Sequence, residues 1–172
     1  MASPLHPGTD SAVPPPWRNP VVVAATCGGV GRAPVAPGTF GAGVGLVVAA
    51  GLAAARLPPT LEMAILGMLN LAAIPLCTAA ARRLGAGSDP AAIVIDECLS
   101  LPLALLVVPA ASRDPLLLGL AFVLHRVFDI LKPFPCRSLE RLPGGLGIMA
   151  DDWGAAGWTA LLLAAARWWR WG

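Results

Sequence analysis

Long apolar stretches, separated by short turns, dominate the sequence. Residues 39–55 carry no charged side chain, and residues 61–81 form a second long apolar run. Each run has about the 20 residues that a helix needs to cross the core of a bilayer. Three more apolar runs follow, at 98–111, 116–124 and from Trp153 onward. The pattern predicts an all-α fold: a compact bundle of about five to six helices, several of them membrane-embedded.

The N-terminal segment differs from the rest of the chain. Residues 1–19 are polar and proline-rich, with three consecutive prolines at 14–16. They contain no basic stretch followed by an apolar core, so they do not resemble a secretion signal. Such a composition buries too little apolar surface to fold. We therefore expect a disordered tail over residues 1–19 and a single helical membrane domain over residues 20–172.

Composition favours a membrane protein and argues against other classes. Hydrophobic residues make up 56% of the chain, its mean hydropathy is +0.71 and 13% of its residues are charged. In soluble proteins roughly a quarter are charged. A net charge of +2 provides no basic stripe, so no nucleic-acid partner is expected. The four cysteines lie far apart, which predicts core thiols rather than a zinc motif or a disulfide framework.

Charged side chains are concentrated just after the fourth apolar run. His125, Asp129 and Lys132 have the spacing i, i+4 and i+7, which places them on one face of a helix. Arg126 is three residues from Asp129 and therefore its neighbour, so a simple ion pair is one interpretation of that aspartate. Pro133 cannot continue a helix, and we expect the helix to end after Lys132.

Two pairs of adjacent acids stand beside apolar segments. Asp96 and Glu97 precede the third run, and Asp151 and Asp152 follow a glycine-rich segment, 144–147, and precede the last run. Burying a bare carboxylate is costly, so we expect these acids to meet basic side chains or a metal. The alternatives are structural: acids that suit the positive end of a helix dipole at the first pair, and helix N-caps at the second.

A segment dense in Gly and Pro precedes the first long run. It is either a linker or an anion site, since exposed backbone N–H groups beside Arg32, where a helix opens near Gly38 and Thr39, suit a phosphate. Gly41 and Gly45, four residues apart in the run that follows, have the spacing of small residues at a close helix–helix contact.

The basic residues favour one orientation in a membrane. If the five runs are threaded with the N-terminus in the cytoplasm, eight of the twelve Lys and Arg residues lie inside and four outside, as the positive-inside rule prefers. The outer four are Arg56, Arg113, Arg167 and Arg170. The same threading brings the glycine- and proline-rich segment, both acidic pairs and the charged end of the fourth run to the cytoplasmic face.

That face carries the side chains of a phosphate and metal site. Carboxylates offer the oxygen ligands that Mg²⁺ takes, and Arg and Lys neutralise phosphate. The candidate metal and catalytic residues are Asp96, Glu97, Asp129, Asp151 and Asp152. The candidate phosphate-binding residues are Arg126, Lys132, Arg32, Gly38 and Thr39. Phosphoryl transfer depends mainly on positioning and charge stabilisation. Spacing leaves open whether water or an aspartate attacks.

These motifs resemble those of the phosphatidylglycerophosphatase A family, over about residues 27–157. The matching patterns are G-x-G-x-x-P-x-x-P-G-T-x-G at 29–41, the acidic pair at 96–97, R-x-F-D-I-x-K-P-x-P at 126–135 and G-G-x-G-I-M-x-D-D at 144–152. The resemblance implies an all-helical bacterial inner-membrane enzyme with a cytoplasmic active site. Its activity would be Mg²⁺-dependent release of phosphate from phosphatidylglycerophosphate, giving phosphatidylglycerol. The five acids would then be the metal and catalytic carboxylates, with Arg126 and Lys132 for phosphate.

The chain departs from the family pattern at several positions. His125 stands where the family usually has an aromatic residue, Ser100 where it has a small glycine, and Pro143 where it has a histidine. Ala42 replaces a frequent serine, and Trp153 follows the second acidic pair in place of the common alanine. No departure removes an acid or a base, so activity is expected to survive. We interpret His125 as a packing residue, and Met149 likewise.

Other functions remain as alternatives. The first is a phosphatase or phosphotransferase that acts on another lipid phosphate. The second, of a different class, is a small membrane transporter or ion-path subunit, for which acids at mid-membrane depth on facing helices would be expected. Clustering of the acids beside Arg and Lys favours phosphate handling. A homo-oligomer is compatible with the sequence.

Overall fold

The computed structural model describes residues 15–85 and 91–171, and this part of the chain is helical with no strand. The tail predicted at 1–19 therefore lies outside the described residues up to residue 14, and Pro16–Arg18 forms a 3-10 turn. The α-helices are α1 (Pro20–Ala25), α2 (Pro37–Ala55), α3 (Pro59–Leu84), α4 (Ile95–Ala104), α5 (Pro115–Leu131), α6 (Cys136–Leu139) and α7 (Gly145–Trp171). The predicted all-helical bundle is confirmed.

The first two apolar runs are α2 and α3. Each begins with proline, whose missing N–H costs nothing in the first turn of a helix. Their most apolar windows have mean hydropathies of 1.7 and 1.8, and both helices are long and apolar enough to cross a membrane. α3 ends at Gly85, which has a φ of 65° and so provides a left-handed C-cap at no steric cost.

The third run folds differently from a spanning helix. α4 has 10 residues and is therefore about 15 Å long, half the bilayer core of about 30 Å. Pro102 lies in its last turn, and two 3-10 turns, Leu105–Val107 and Ala110–Ser112, continue the chain. Residues 98–102 are all buried. α4 is thus a short helix enclosed by its neighbours rather than a membrane span of its own.

Glycines allow α2 to pack very closely on α4. A Cβ atom added at Gly45 would lie 2.7 Å from the Cys98 carbonyl oxygen, and one at Gly41 would lie 2.6 Å from Cβ of Val94. The Cys98 carbonyl lacks its usual helical donor because Pro102 has no N–H, and the backbone of α2 approaches that carbonyl at Gly45. The close contact predicted from the glycine spacing is confirmed.

α7 begins earlier than the apolar run suggested. Gly144 has a φ of 60°, and Thr78 Oγ1 of α3 accepts the Gly145 N–H at 2.7 Å. A Cβ atom at Gly145 would lie 2.0 Å from the Ile74 carbonyl oxygen. Glycines that look like a loop in the sequence therefore form a helix start pressed against α3. Asp151 and Asp152 consequently lie inside α7, and their interpretation as N-caps is wrong.

A buried ion pair lies at the end of the bundle opposite the two acidic pairs. Arg113 donates bidentately to Glu62, with Nη2 3.0 Å from Oε2, and its Nε donates to the Val108 carbonyl at 2.9 Å. Both side chains are buried. The sequence analysis placed Arg113 in an outward-facing turn. Its burial is tolerated because Glu62 and a carbonyl satisfy the guanidinium.

Two neighbouring glycines of α2 test the importance of the α2–α4 contact. Gly45→Ala should lower the thermal stability of the protein, because overpacking costs about 1–3 kcal/mol. Gly43→Ala is the matched control, since nothing lies within 4 Å of a Cβ at Gly43 and alanine is about 1 kcal/mol the better helix former. Thermal unfolding in detergent measures both. Equal midpoints for the two variants would contradict the close contact.

Candidate active site

Four helix segments meet at one end of the bundle. Asp96 and Glu97 occupy the first turn of α4, Asp129 lies in the last turn of α5, and Asp151 and Asp152 lie about two turns into α7. The start of α2 completes the group, since a Cβ at its Gly38 would touch the Glu97 carboxylate. The elements are tied together locally: the Val94 N–H, at the start of α4, donates to the Ala25 carbonyl of α1 at 3.1 Å.

Three of the carboxylates converge on one point. Oxygens of Asp96, Glu97 and Asp152 all lie within 4.8 Å of one another. Asp96 and Asp152 are 6% and 3% exposed. Burial raises the pKa of the Asp96 carboxyl, and the neighbouring Glu97 carboxylate raises it further. Asp96 and Glu97 do occupy the first turn of α4, where acids suit the positive end of the helix dipole. A favourable dipole interaction does not require a third carboxylate, from Asp152, so close to them.

The oxygens of this acidic triad fit a divalent cation. Glu97 Oε2 and Asp152 Oδ1 are buried and have no hydrogen-bond partner among the described residues. Leaving buried polar atoms unpaired costs about 1–3 kcal/mol each. Mg²⁺ takes oxygen ligands and is commonly held by one or two carboxylates together with water and a substrate phosphate. The acidic triad thus has the donor type, the unsatisfied oxygens and the charge for that ion.

Arg126 links the triad to Asp129. Its Nη1 lies 2.5 Å from Asp129 Oδ2 and 3.6 Å from Glu97 Oε1. The ion pair predicted from the i, i+3 spacing is confirmed, yet it does not use the whole guanidinium, because Nε has no partner in the described part of the chain. A Cβ atom at Gly38 would lie 2.0 Å from Glu97 Oε1 and 3.2 Å from Arg126 Nη1. A larger residue at position 38 would therefore displace the Glu97 carboxylate.

Lys132 extends the charged network to α7. It caps α5 with a left-handed φ of 45°, and its Nζ lies 2.8 Å from Asp151 Oδ2 and 3.2 Å from Glu140 Oε2. Burial alone would lower the pKa of the Lys132 ammonium, but hydrogen bonds and charge from Asp151 and Glu140 outweigh it and raise that pKa. Lys132 is therefore fully charged at neutral pH.

Not every predicted residue reaches this network. Arg32 is exposed and stacks over Trp17, with 5.2 Å between its guanidinium carbon and the ring centroid. Thr39 is partly exposed, and its backbone N–H donates to the Ala36 carbonyl. No described contact joins Arg32 or Thr39 to the acids, whereas Gly38 touches them directly.

The sequence analysis did not predict two buried hydrogen-bonded pairs that lie beside the acids. His125 Nε2 lies 2.9 Å from Ser100 Oγ, and both residues are fully buried. They are two of the positions at which the chain departs from the family pattern, and here they contact each other. Asn70 of α3 bonds the indole of Trp153. The sequence signal for this second pair was a lone asparagine within an apolar run, because a buried amide needs hydrogen-bond partners.

The sequence of the chain matches those of known proteins. Residues 23–167 match the family phosphatidylglycerophosphatase A. The chain belongs to this family. A phosphatidylglycerophosphatase A of Haemophilus influenzae is 34% identical over 152 residues, which cover 88% of this chain and 91% of that protein. The enzyme of that name from Escherichia coli is 31% identical over 136 residues, covering 78% and 76%.

A third relative matches a shorter region. A Bacteroides thetaiotaomicron protein with the provisional name phosphatidylinositol-3-phosphatase is 42% identical over 82 residues, 48% of this chain and 52% of that protein. The chain thus spans about half the length of this relative. No solved structure matches the chain.

Membership of the phosphatidylglycerophosphatase A family makes the protein a phosphatase that acts on a lipid phosphate. The two long apolar helices are those of a membrane protein. The acids and bases that carry the family resemblance are the ones that the fold gathers at one end of the bundle.

Replacing single acids tests the site without changing side-chain size. Asp96→Asn, Asp129→Asn and Asp151→Asn should each lower the rate of phosphate release at least about 100-fold, the usual effect of removing one preorganised electrostatic group. Asp114→Asn is the control, since Asp114 caps α5 at the opposite end and asparagine caps equally well. Turnover per folded molecule is measured. Full activity in all three variants would refute the site assignment.

Proposed function

We propose that the protein hydrolyses phosphatidylglycerophosphate to phosphatidylglycerol and inorganic phosphate in a Mg²⁺-dependent reaction. The observation that carries the proposal is a charge imbalance. In the described part of the chain, the five candidate carboxylates lie with two basic side chains, Arg126 and Lys132, and two of the carboxylate oxygens are buried without a hydrogen-bond partner. A phosphate would add more negative charge, so the site needs a cation before it can accept one. The names of the Haemophilus and Escherichia relatives supply the substrate.

Asp96, Glu97 and Asp152 are the residues proposed to hold Mg²⁺. The bound ion would supply the positive charge that a phosphate and its leaving oxygen require. Arg126 is oriented by Asp129 and keeps its Nε–H free to donate to a phosphate oxygen. Gly38 leaves space beside both groups and opens α2, whose N-terminal dipole end favours an anion.

Lys132 is the second proposed phosphate ligand. Its two carboxylate partners differ in exposure: the side chain of Asp151 is 9% exposed and that of Glu140 is 42% exposed. A phosphate that competes for the ammonium would displace Glu140 more readily, since water already solvates that carboxylate. Asp151 would remain bound and keep the ammonium in place.

The same proposal places the enzyme in the bacterial inner membrane as a multi-pass protein, with its site facing the cytoplasm. The asymmetry of basic residues supports this orientation.

A second candidate is a phosphatase for another phosphorylated lipid, such as an inositol lipid. The identity of 42% to the Bacteroides protein favours it, although that match covers 82 residues only. The transporter alternative is less well supported, because the acids cluster at one end of the bundle beside Arg126 and Lys132.

Phosphate release from defined lipids in detergent micelles tests the proposal. We expect turnover of phosphatidylglycerophosphate with Mg²⁺, loss of turnover in EDTA, recovery with excess Mg²⁺, and no turnover of soluble glycerol 3-phosphate. Undiminished turnover in EDTA would refute the metal requirement. Faster hydrolysis of phosphatidylinositol 3-phosphate would favour the second candidate. Folded protein that releases phosphate from no lipid would refute both lipid phosphatase assignments.

A further inference from the structure

Asn70 connects three helices from within the apolar core. It lies in the middle of α3 and is 3% exposed. Its Nδ2 donates to the Leu66 carbonyl of α3 at 2.9 Å and to the Leu99 carbonyl of α4 at 3.3 Å. Its Oδ1 accepts the indole N–H of Trp153, in α7, at 2.8 Å. One side chain thus bonds both helices that carry the acidic triad.

The chemistry of the partners fixes the orientation of this amide. An indole nitrogen can only donate, and carbonyl oxygens can only accept. The Asn70 oxygen must therefore face Trp153, and its NH₂ group must face the two carbonyls. A leucine of similar size would leave the indole N–H unpaired and would bond neither helix.

The position of Asn70 relates it directly to the acids. Leu99, which accepts one of its hydrogen bonds, is two residues after Glu97, and Trp153, which donates to it, follows Asp152. When no cation is bound, negative charge on Asp152 of α7 repels negative charge on Asp96 and Glu97 of α4 across the gap between the two helices, since the three carboxyl groups lie within 4.8 Å of one another. The amide bonds the two helices next to that gap and opposes their separation.

We propose that Asn70 is a positioning residue, which holds α4 and α7 at the separation at which the acidic triad can share one divalent cation. It touches neither the ion nor the substrate, and acts through the Leu99 carbonyl and the Trp153 indole. Of the two measurements that test this inference, phosphate release rests on the proposed function, whereas metal binding does not.

Three variants separate positioning from general stability. Asn70→Leu removes every hydrogen bond of the amide. Trp153→Phe keeps an aromatic ring and removes only the indole N–H, so it gives a milder test should Asn70→Leu fold poorly. Thr159→Val is the matched control, because Thr159 is fully buried in α7 and its hydroxyl bonds Ala155 of the same helix. It removes a buried hydrogen bond that involves neither α3 nor α4.

Each variant is purified in detergent, and the folded fraction is compared in two measurements. The first is kcat and KM for phosphate release from phosphatidylglycerophosphate. The second is binding of Mn²⁺ alone, from the loss of the free-ion paramagnetic resonance signal. We expect Asn70→Leu to lower kcat at least about tenfold with little change in KM, since a misplacement of about 1 Å can cost 100-fold. Half-saturation with Mn²⁺ should need at least about fivefold more ion.

Trp153→Phe should shift both quantities in the same direction by a smaller factor, and Thr159→Val should leave both within about twofold of the parent protein. Combining Asn70→Leu with Trp153→Phe should add little to Asn70→Leu alone, because both remove the same bond. Parental kcat and Mn²⁺ binding in folded Asn70→Leu or Trp153→Phe would overturn the inference. If the parent protein turns over no lipid, the proposed function fails while Mn²⁺ binding still decides the role of Asn70.

Discussion

Repulsion among buried carboxylates is the constraint on which this structure depends. Asp96, Glu97 and Asp152 lie close together in a site where little water can screen them, and charge interactions strengthen as the dielectric falls. An apolar bundle gains nothing from such an arrangement, because burying unpaired charge costs several kcal/mol. The surrounding helices must therefore hold the acids together.

The packing around the acids serves that requirement through rigid contacts. Gly41 and Gly45 bring α2 into backbone contact with α4, and Gly145 does the same for α7 on α3. Close helix approach without side chains between leaves few alternative arrangements, since interiors are densely packed. Side-chain hydrogen bonds across helices, from Asn70 and between Ser100 and His125, complete the framework. These supports act together with the ion pairs of Arg126 and Lys132, which link α5 to α4 and α7.

Local patterns predicted most of the fold and the members of the site, but not the contacts that position them. The apolar runs predicted α2 and α3, and the proline after Lys132 predicted the end of α5. The i, i+3 spacing predicted the ion pair of Arg126 and Asp129. The start of α7 was missed because glycines at 144 and 145 read as a loop unless α3 is known to pack on them. The charge of Arg32 in the sequence did not reveal that its side chain stacks on Trp17, with no described contact to the acids.

The two ends of the bundle show what distinguishes a functional acid from a structural one. At one end, Glu62 meets a single arginine, Arg113, in a bidentate pair that leaves neither charge unmatched. At the other end, acids outnumber bases among the described residues, and two buried carboxylate oxygens have no hydrogen-bond partner there. Both ends bury charge, so burial alone identifies no site. Uncompensated charge does, because its partner must come from outside the described residues, and the proposed Mg²⁺ with its lipid phosphate would supply that partner.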